Sequence, residues 1–130
     1  MAEELDAETI AFAHRVFDLA RSGGAGELAD HLAQGLPANL TNDKGDTLLI
    51  LGAYHNHPPV VATLLEHGAD PARVNDRGQT ALAAAVFRKN PETVRLLLAA
   101  GANPDDGKPS ARETAEFFDL PEMTALLRGE

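Results

Sequence analysis

The side chains best equipped for chemistry cluster in the middle of the sequence: His55, His57 and His67, with the aromatic residues Tyr54 and Phe87. Imidazoles bind metals and move protons near neutral pH. His55 and His57 flank a helix break at Asn56-His57-Pro58, whereas His67 sits just before Gly68, at the far end of the helix that follows. With that helix running from Pro59 to Glu66, about 9 residues, or ~14 Å at ~1.5 Å per residue, separate the two places. The three rings therefore cannot share one ion. His55 and His57 alone fall short of the three or four protein ligands a zinc site uses, so no metal site is expected. His67 has a simpler role, because a donor in a last helical turn interacts well with free carbonyls.

A catalytic constellation needs a nucleophile, a base and an orienting acid that converge. Ser22 and Ser110 are the only serines, and each falls at a helix end where capping accounts for it. Gly23-Gly24-Ala25-Gly26 resembles a phosphate loop in composition only, since neither a preceding strand nor a following Lys accompanies it. The absence of Cys removes disulfides and thiolate ligands. The expectation is a non-enzymatic chain with no catalytic residues, no metal and no cofactor.

Charge narrows the partners. A formal net charge of -9 disfavours binding to a phosphate backbone, and no apolar run approaches the ~18 residues a membrane span requires. Neither nucleic acid nor membrane is an expected partner. After the acidic start Met1-Ala2-Glu3-Glu4 no apolar signal-peptide core follows, which points to the cytoplasm. Acidity of this size gives a weak preference for a basic partner surface, although many soluble proteins are acidic for solubility alone.

The elements that must position these residues are written twice. Asn42-Asp43-Lys44-Gly45-Asp46-Thr47-Leu48-Leu49 returns 33 residues later as Asn75-Asp76-Arg77-Gly78-Gln79-Thr80-Ala81-Leu82. Leu64-Leu65-Glu66-His67-Gly68-Ala69-Asp70-Pro71 returns as Leu97-Leu98-Ala99-Ala100-Gly101-Ala102-Asn103-Pro104. A period of this length means stacked supersecondary units. Thr47 and Thr80 cap a first helix in each unit, Pro58 and Pro91 open a second, and Gly68 and Gly101 stop it where a positive φ is needed. Val60, Val61, Leu64 and Leu65, repeated as Val94, Leu97 and Leu98, form an apolar face too large for one helix pair to hide. Stacking pairs side by side closes the core.

Flanking stretches carry the same grammar in degraded form. Residues 5–22 have apolar groups at helical spacing, Ile10, Ala13, Val16, Phe17 and Ala20, behind Asp6 as a candidate cap. A second helix there runs through Leu28 and Leu32 to Gly35, and Arg15, Asp18, Arg21 and Asp30 supply the polar face of a terminal unit. At the other end, Ser110 stands for the capping Thr, Pro121 for Pro91 and Leu126-Leu127 for Leu97-Leu98, after a shortened turn. The expected organisation is one domain over 1–130. Its units are an N-terminal cap (5–35), two full repeats (36–70 and 71–103) and a C-terminal cap (104–130).

Gly-x-Thr-x-Leu at Gly45 to Leu49 and Gly78 to Leu82, together with Val-x-x-Leu-Leu-x-x-Gly-Ala-(Asp/Asn) at Val61 to Asp70 and Val94 to Asn103, resembles the ankyrin repeat family. The resemblance implies an all-α helix-turn-helix solenoid with projecting turns, here of four helix pairs. One departure is visible: the family's Thr-Pro-Leu-His reads Thr47-Leu48-Leu49-Ile50 and Thr80-Ala81-Leu82-Ala83. The His that the resemblance implies as a hydrogen-bonded link between units is gone, and apolar contact at Ile50 and Ala83 is expected to replace it.

The resemblance also implies a function, binding of another protein through a concave face built from turn tips and the exposed ends of first helices. Carried over by position, that face comprises Asp43, Lys44, Asp46, Tyr54 and His55 in one repeat. The next supplies Asp76, Arg77, Gln79, Phe87 and Arg88. Tyr54 and Phe87 are 33 residues apart, so they are neighbours. Two roles are open to them, interface anchors or rings packed on each other within the inter-repeat core. The turn charges at Asp43, Lys44, Asp76 and Arg77 also suit solvated turns. The expected unit is a monomer with a protein partner. An alternative is a stabilising or inhibitory accessory subunit of a bacterial enzyme.

Overall fold

Residues 7–129 are described by a computed structural model. They contain α1 (Ala7–Ser22), α2 (Ala25–Ala33), α3 (Leu48–Tyr54), α4 (Pro58–Glu66), α5 (Ala81–Phe87), α6 (Pro91–Ala99), α7 (Ala111–Phe117) and α8 (Pro121–Leu127). No strand occurs among the described residues beyond two isolated bridges, Thr41 to Thr47 and Gly107 to Ser110. Odd-numbered helices stack in one row and even-numbered helices in a second. This is the expected all-α solenoid of four helix pairs.

Caps fix where helices begin. Thr47 Oγ1 accepts the Ile50 N–H at 3.0 Å, and Thr80 Oγ1 accepts that of Ala83 at the same distance. Ser110 and Glu113 form a reciprocal capping box. Each such cap stabilises its helix by about 1 kcal/mol. Pro58 opens α4, because a Pro at the first position loses no hydrogen bond.

The two rows are buried differently. In α3 every residue from Leu48 to Ala53 is buried, and in α5 every residue from Ala81 to Val86. These helices are enclosed by a neighbour on each side and by their own partner helix. Small residues make that possible: a Cβ on Gly52 would lie 2.7 Å from Val60 Cγ1, so a residue unfavourable in a helix interior is required here. By contrast α4 and α6 are one-sided. Val60, Val61 and Leu64 face inward in α4, as do Val94 and Leu97 in α6, while Glu66, Glu92 and Arg95 are exposed.

The link between units departs from expectation in an instructive way. Ile50 and Ala83 are buried as predicted, but apolar contact is accompanied by hydrogen bonds that pass through the turns. Asn75 Nδ2 donates to Asp46 Oδ1 at 2.8 Å, the Asp76 N–H donates to the Lys44 carbonyl at 3.0 Å, and the Lys108 N–H to the Gly78 carbonyl at 2.9 Å. At the opposite end of the first helices, Asn90 donates to Asn56 Oδ1 at 2.6 Å. His57 Nε2 lies 2.8 Å from the Arg21 carbonyl, so that nitrogen carries the proton and ties the first unit to the second. With Ile50 and Ala83 where the resemblance implies a linking His, the units are still connected by polar contacts, supplied by Asp, Asn and backbone groups.

Three expectations are corrected. Ile10, assigned to the buried stripe of α1, is 41% exposed, because the packed face of that helix starts only at Val16. Asp46, placed on the binding face, is only 6% exposed and turned inward to hold Asn75. The expected replacement of the missing His by apolar contact is incomplete, because turn hydrogen bonds accompany the buried Ile50 and Ala83. The proposed cap Asp6 lies outside the described residues.

Candidate functional site

Where first helices end, the packing that encloses their bodies stops. Tyr54 and Phe87 are the final residues of α3 and α5, and both remain exposed, at 41% and 44%. Their rings are nearly parallel, 3° apart in plane with centroids at 6.4 Å. The row continues into the last unit, where Phe118 meets Phe87 edge-on at 5.6 Å and Phe117 meets Phe118 at 4.9 Å. Of the two roles open to Tyr54 and Phe87, burial in the inter-repeat core does not hold: the rings pack on each other but present a face to solvent.

Phe117 and Phe118 escape a count of 33 from Phe87, because the last turn is shortened. Counting from the caps recovers them. Tyr54 is seven residues after Thr47, Phe87 seven after Thr80, and Phe117 seven after Ser110. Phe118 occupies the next position, that of His55 and Arg88, and it is this ring that joins the row.

Two hollows flank the row at Tyr54. One, of about 420 Å³, brings together Asp43, Lys44, Tyr54, His55, Arg77 and Gln79. Asp46 is at its floor, and Arg21 from the first unit, which the position-by-position transfer did not include, completes the wall. The second hollow, of about 250 Å³, lies among Tyr54, Phe87 and Phe118 over the small residues Ala83 and Ala84. Tyr54 and Gln79 belong to both. Asp76 and Arg88 line neither. Asp76 lies against the preceding turn, its Oδ1 2.6 Å from where a Cβ on Gly45 would sit. Arg88 caps the C-terminus of α5.

Asn75 makes this geometry rigid. Its Oδ1 accepts the Arg77 and Gln79 N–H groups at 2.9 Å, and its amide donates to Asp46 and to Gln79 Oε1. The turn that presents Arg77 is thus held by a buried, satisfied side chain. His55 is partly desolvated beside the rings, which pushes its imidazole below the ordinary range. Repulsion from Arg21, His57 and Arg88 adds to the effect, against attraction from Asp46.

His57 and His67 have structural partners. His67 Nδ1 is 2.9 Å from the Thr63 carbonyl one turn back, the last-turn role expected of it. No group of three or more His, Cys, Asp or Glu able to hold a metal ion occurs among the described residues, and no helix there is long and apolar enough to cross a membrane.

A family model described as ankyrin repeats in three copies matches residues 17–107. An ankyrin repeat protein of Pseudomonas aeruginosa is 55% identical over 58 residues, which is 45% of this chain and 34% of the relative. The chain thus aligns with about a third of that relative's length.

Proposed function

Since the chain belongs to the ankyrin repeat family, whose repeats generally mediate protein–protein interaction, we propose that it is a non-enzymatic cytoplasmic binding module that grips a partner protein with the open ends of its first helices. The observation that carries this reading is the aromatic row from Tyr54 through Phe87 to Phe118, exposed and continuous across three units. Aromatic side chains, Tyr, Trp and Phe, are enriched in protein interfaces relative to the rest of the surface. The hydrogen-bonded turns beside them hold Lys44, Arg77 and Gln79 in place, which lowers the ordering cost of binding.

Affinity capture from the native host tests the proposal. The wild-type chain is expected to retain a stoichiometric protein that the Tyr54→Ala/Phe87→Ala variant loses, with helicity near normal in both. If the captured protein is an enzyme whose activity changes on binding, the accessory-subunit form of the reading applies. Equal capture by both chains, or turnover of a substrate by the purified chain alone, overturns it.

A further inference from the structure

We infer that the partner segment received by this face is acidic and apolar together, an extended peptide that seats an apolar side chain in the Tyr54–Phe87–Phe118 notch and a neighbouring carboxylate in the hollow beside it. The inference rests on the protein-binding reading above and specifies its ligand.

It starts from a mismatch between global and local charge. The chain carries a formal net charge of -9, yet the hollow that adjoins the aromatic row is lined by Arg21, Lys44 and Arg77. Two carboxylates stand against them. Asp46 is buried and hydrogen-bonded to Asn75, and Asp43 lies at the exposed rim. Arg21 shares its charge with Asp18 at 2.9 Å on the outer side. The side chains of Lys44 and Arg77 have no hydrogen-bond or ion-pair partner among the described residues. Arg88, at the C-terminus of the helix that carries Phe87, adds a further cation near His55.

Two free cations beside the His55 ring are complementary to a carboxylate, and guanidinium geometry suits two-point recognition of one. The notch is chemically different. At about 250 Å³, walled by three rings and floored by Ala83 and Ala84, it is of a size for one apolar side chain. Tyr54 and Gln79 form the wall common to both hollows, so the two subsites are adjacent. An extended peptide, advancing about 3.3 Å per residue, reaches from one to the other within a few residues. A basic segment, which the net charge alone would favour, meets like charge where it would have to bind, a costly juxtaposition.

Panning a displayed library of random dodecapeptides on the full chain tests this directly, with synthetic copies of the enriched peptides measured by fluorescence anisotropy. The expected enrichment places Asp or Glu within a few residues of Phe, Leu or Trp. Lys44→Glu with Arg77→Glu is expected to weaken those peptides about tenfold or more, and raising salt to weaken the wild-type complex. Phe87→Ala with Phe118→Ala should abolish binding. Enriched peptides that are basic or uncharged, still lost with Phe87→Ala/Phe118→Ala, overturn the acidic assignment and leave the protein-binding reading standing. Peptides indifferent to both pairs of substitutions, or no enrichment at all, overturn both. Circular dichroism melts of each variant confirm that the folded chain is what is being compared.

Discussion

The first-helix row and the second-helix row are built from the same repeat but solve opposite problems. Helices α3 and α5 are buried along their bodies, so a partner meets little of them beyond their ends and the small residues Ala83 and Ala84 that floor the notch. Helices α4 and α6 bury one side and leave the other partly solvated, with Glu66 exposed on α4 and Glu92 and Arg95 on α6. The row with the most exposed length is therefore not the row with the exposed aromatics. In α3 and α5 the surface is confined to the last residue, and that residue is Tyr54 in one and Phe87 in the other. Stability is carried by helix bodies, and recognition is assigned to helix ends and the turns that lean over them.

This contrast can be broken most sharply in the core. Leu82→Ala in α5 and Leu97→Ala in α6 remove side chains exposed by 1% and 0%, and each should cost ~2 to 5 kcal/mol in urea melts. Arg95→Ala, on the outer face of α6, should change stability by no more than ~0.5 kcal/mol. If either Leu substitution is as mild as Arg95→Ala, the division between bodies and surfaces fails. Next in size is Asp46→Ala, which takes one acceptor from a buried Asn75 amide. A loss of ~1 to 3 kcal/mol is expected. No loss would mean that the turn-to-turn bond does not link the repeats.

Tyr54→Ala with Phe87→Ala sharpens the comparison from the other side. The rings are more than two-fifths exposed and stack on each other, so a cost of only about 1 to 2 kcal/mol is expected in the same melts. A loss as large as that of Leu97→Ala would make the rings core. The smallest effect concerns His55, whose imidazole is held below its ordinary value chiefly by burial, then by Arg21, His57 and Arg88. Its neutral form is favoured in the fold, so its contribution is fully present above the unfolded value near 6.5. That contribution is lost as pH falls through the lower folded value. Arg21→Gln should raise the His55 pKa in an NMR titration, and an unchanged value would show that the two groups do not interact.

Much of the architecture is legible in the residues. The 33-residue period, the capping Thr and the stopping Gly place α3 to α6 nearly to the residue, because caps and stops act locally. Less visible are the features that depend on a neighbouring unit. Asp46 looks like a turn-tip surface residue, and only the stacked turn bearing Asn75 turns it inward. Ile10 fits the apolar period of α1, yet the buried part of that helix begins only at Val16. Arg21 belongs to a terminal unit and joins the site through packing alone. Phe118 was hidden by a shortened turn, which counting from Ser110 would have exposed.

Hydrogen–deuterium exchange of the chain with and without its captured partner tests the central claim most directly. The account predicts added protection at the C-terminal ends of α3, α5 and α7 and in the turns bearing Lys44 and Arg77, with the outer faces of α4 and α6 unchanged. Protection concentrated on those outer faces, with the helix ends unaffected, would contradict it.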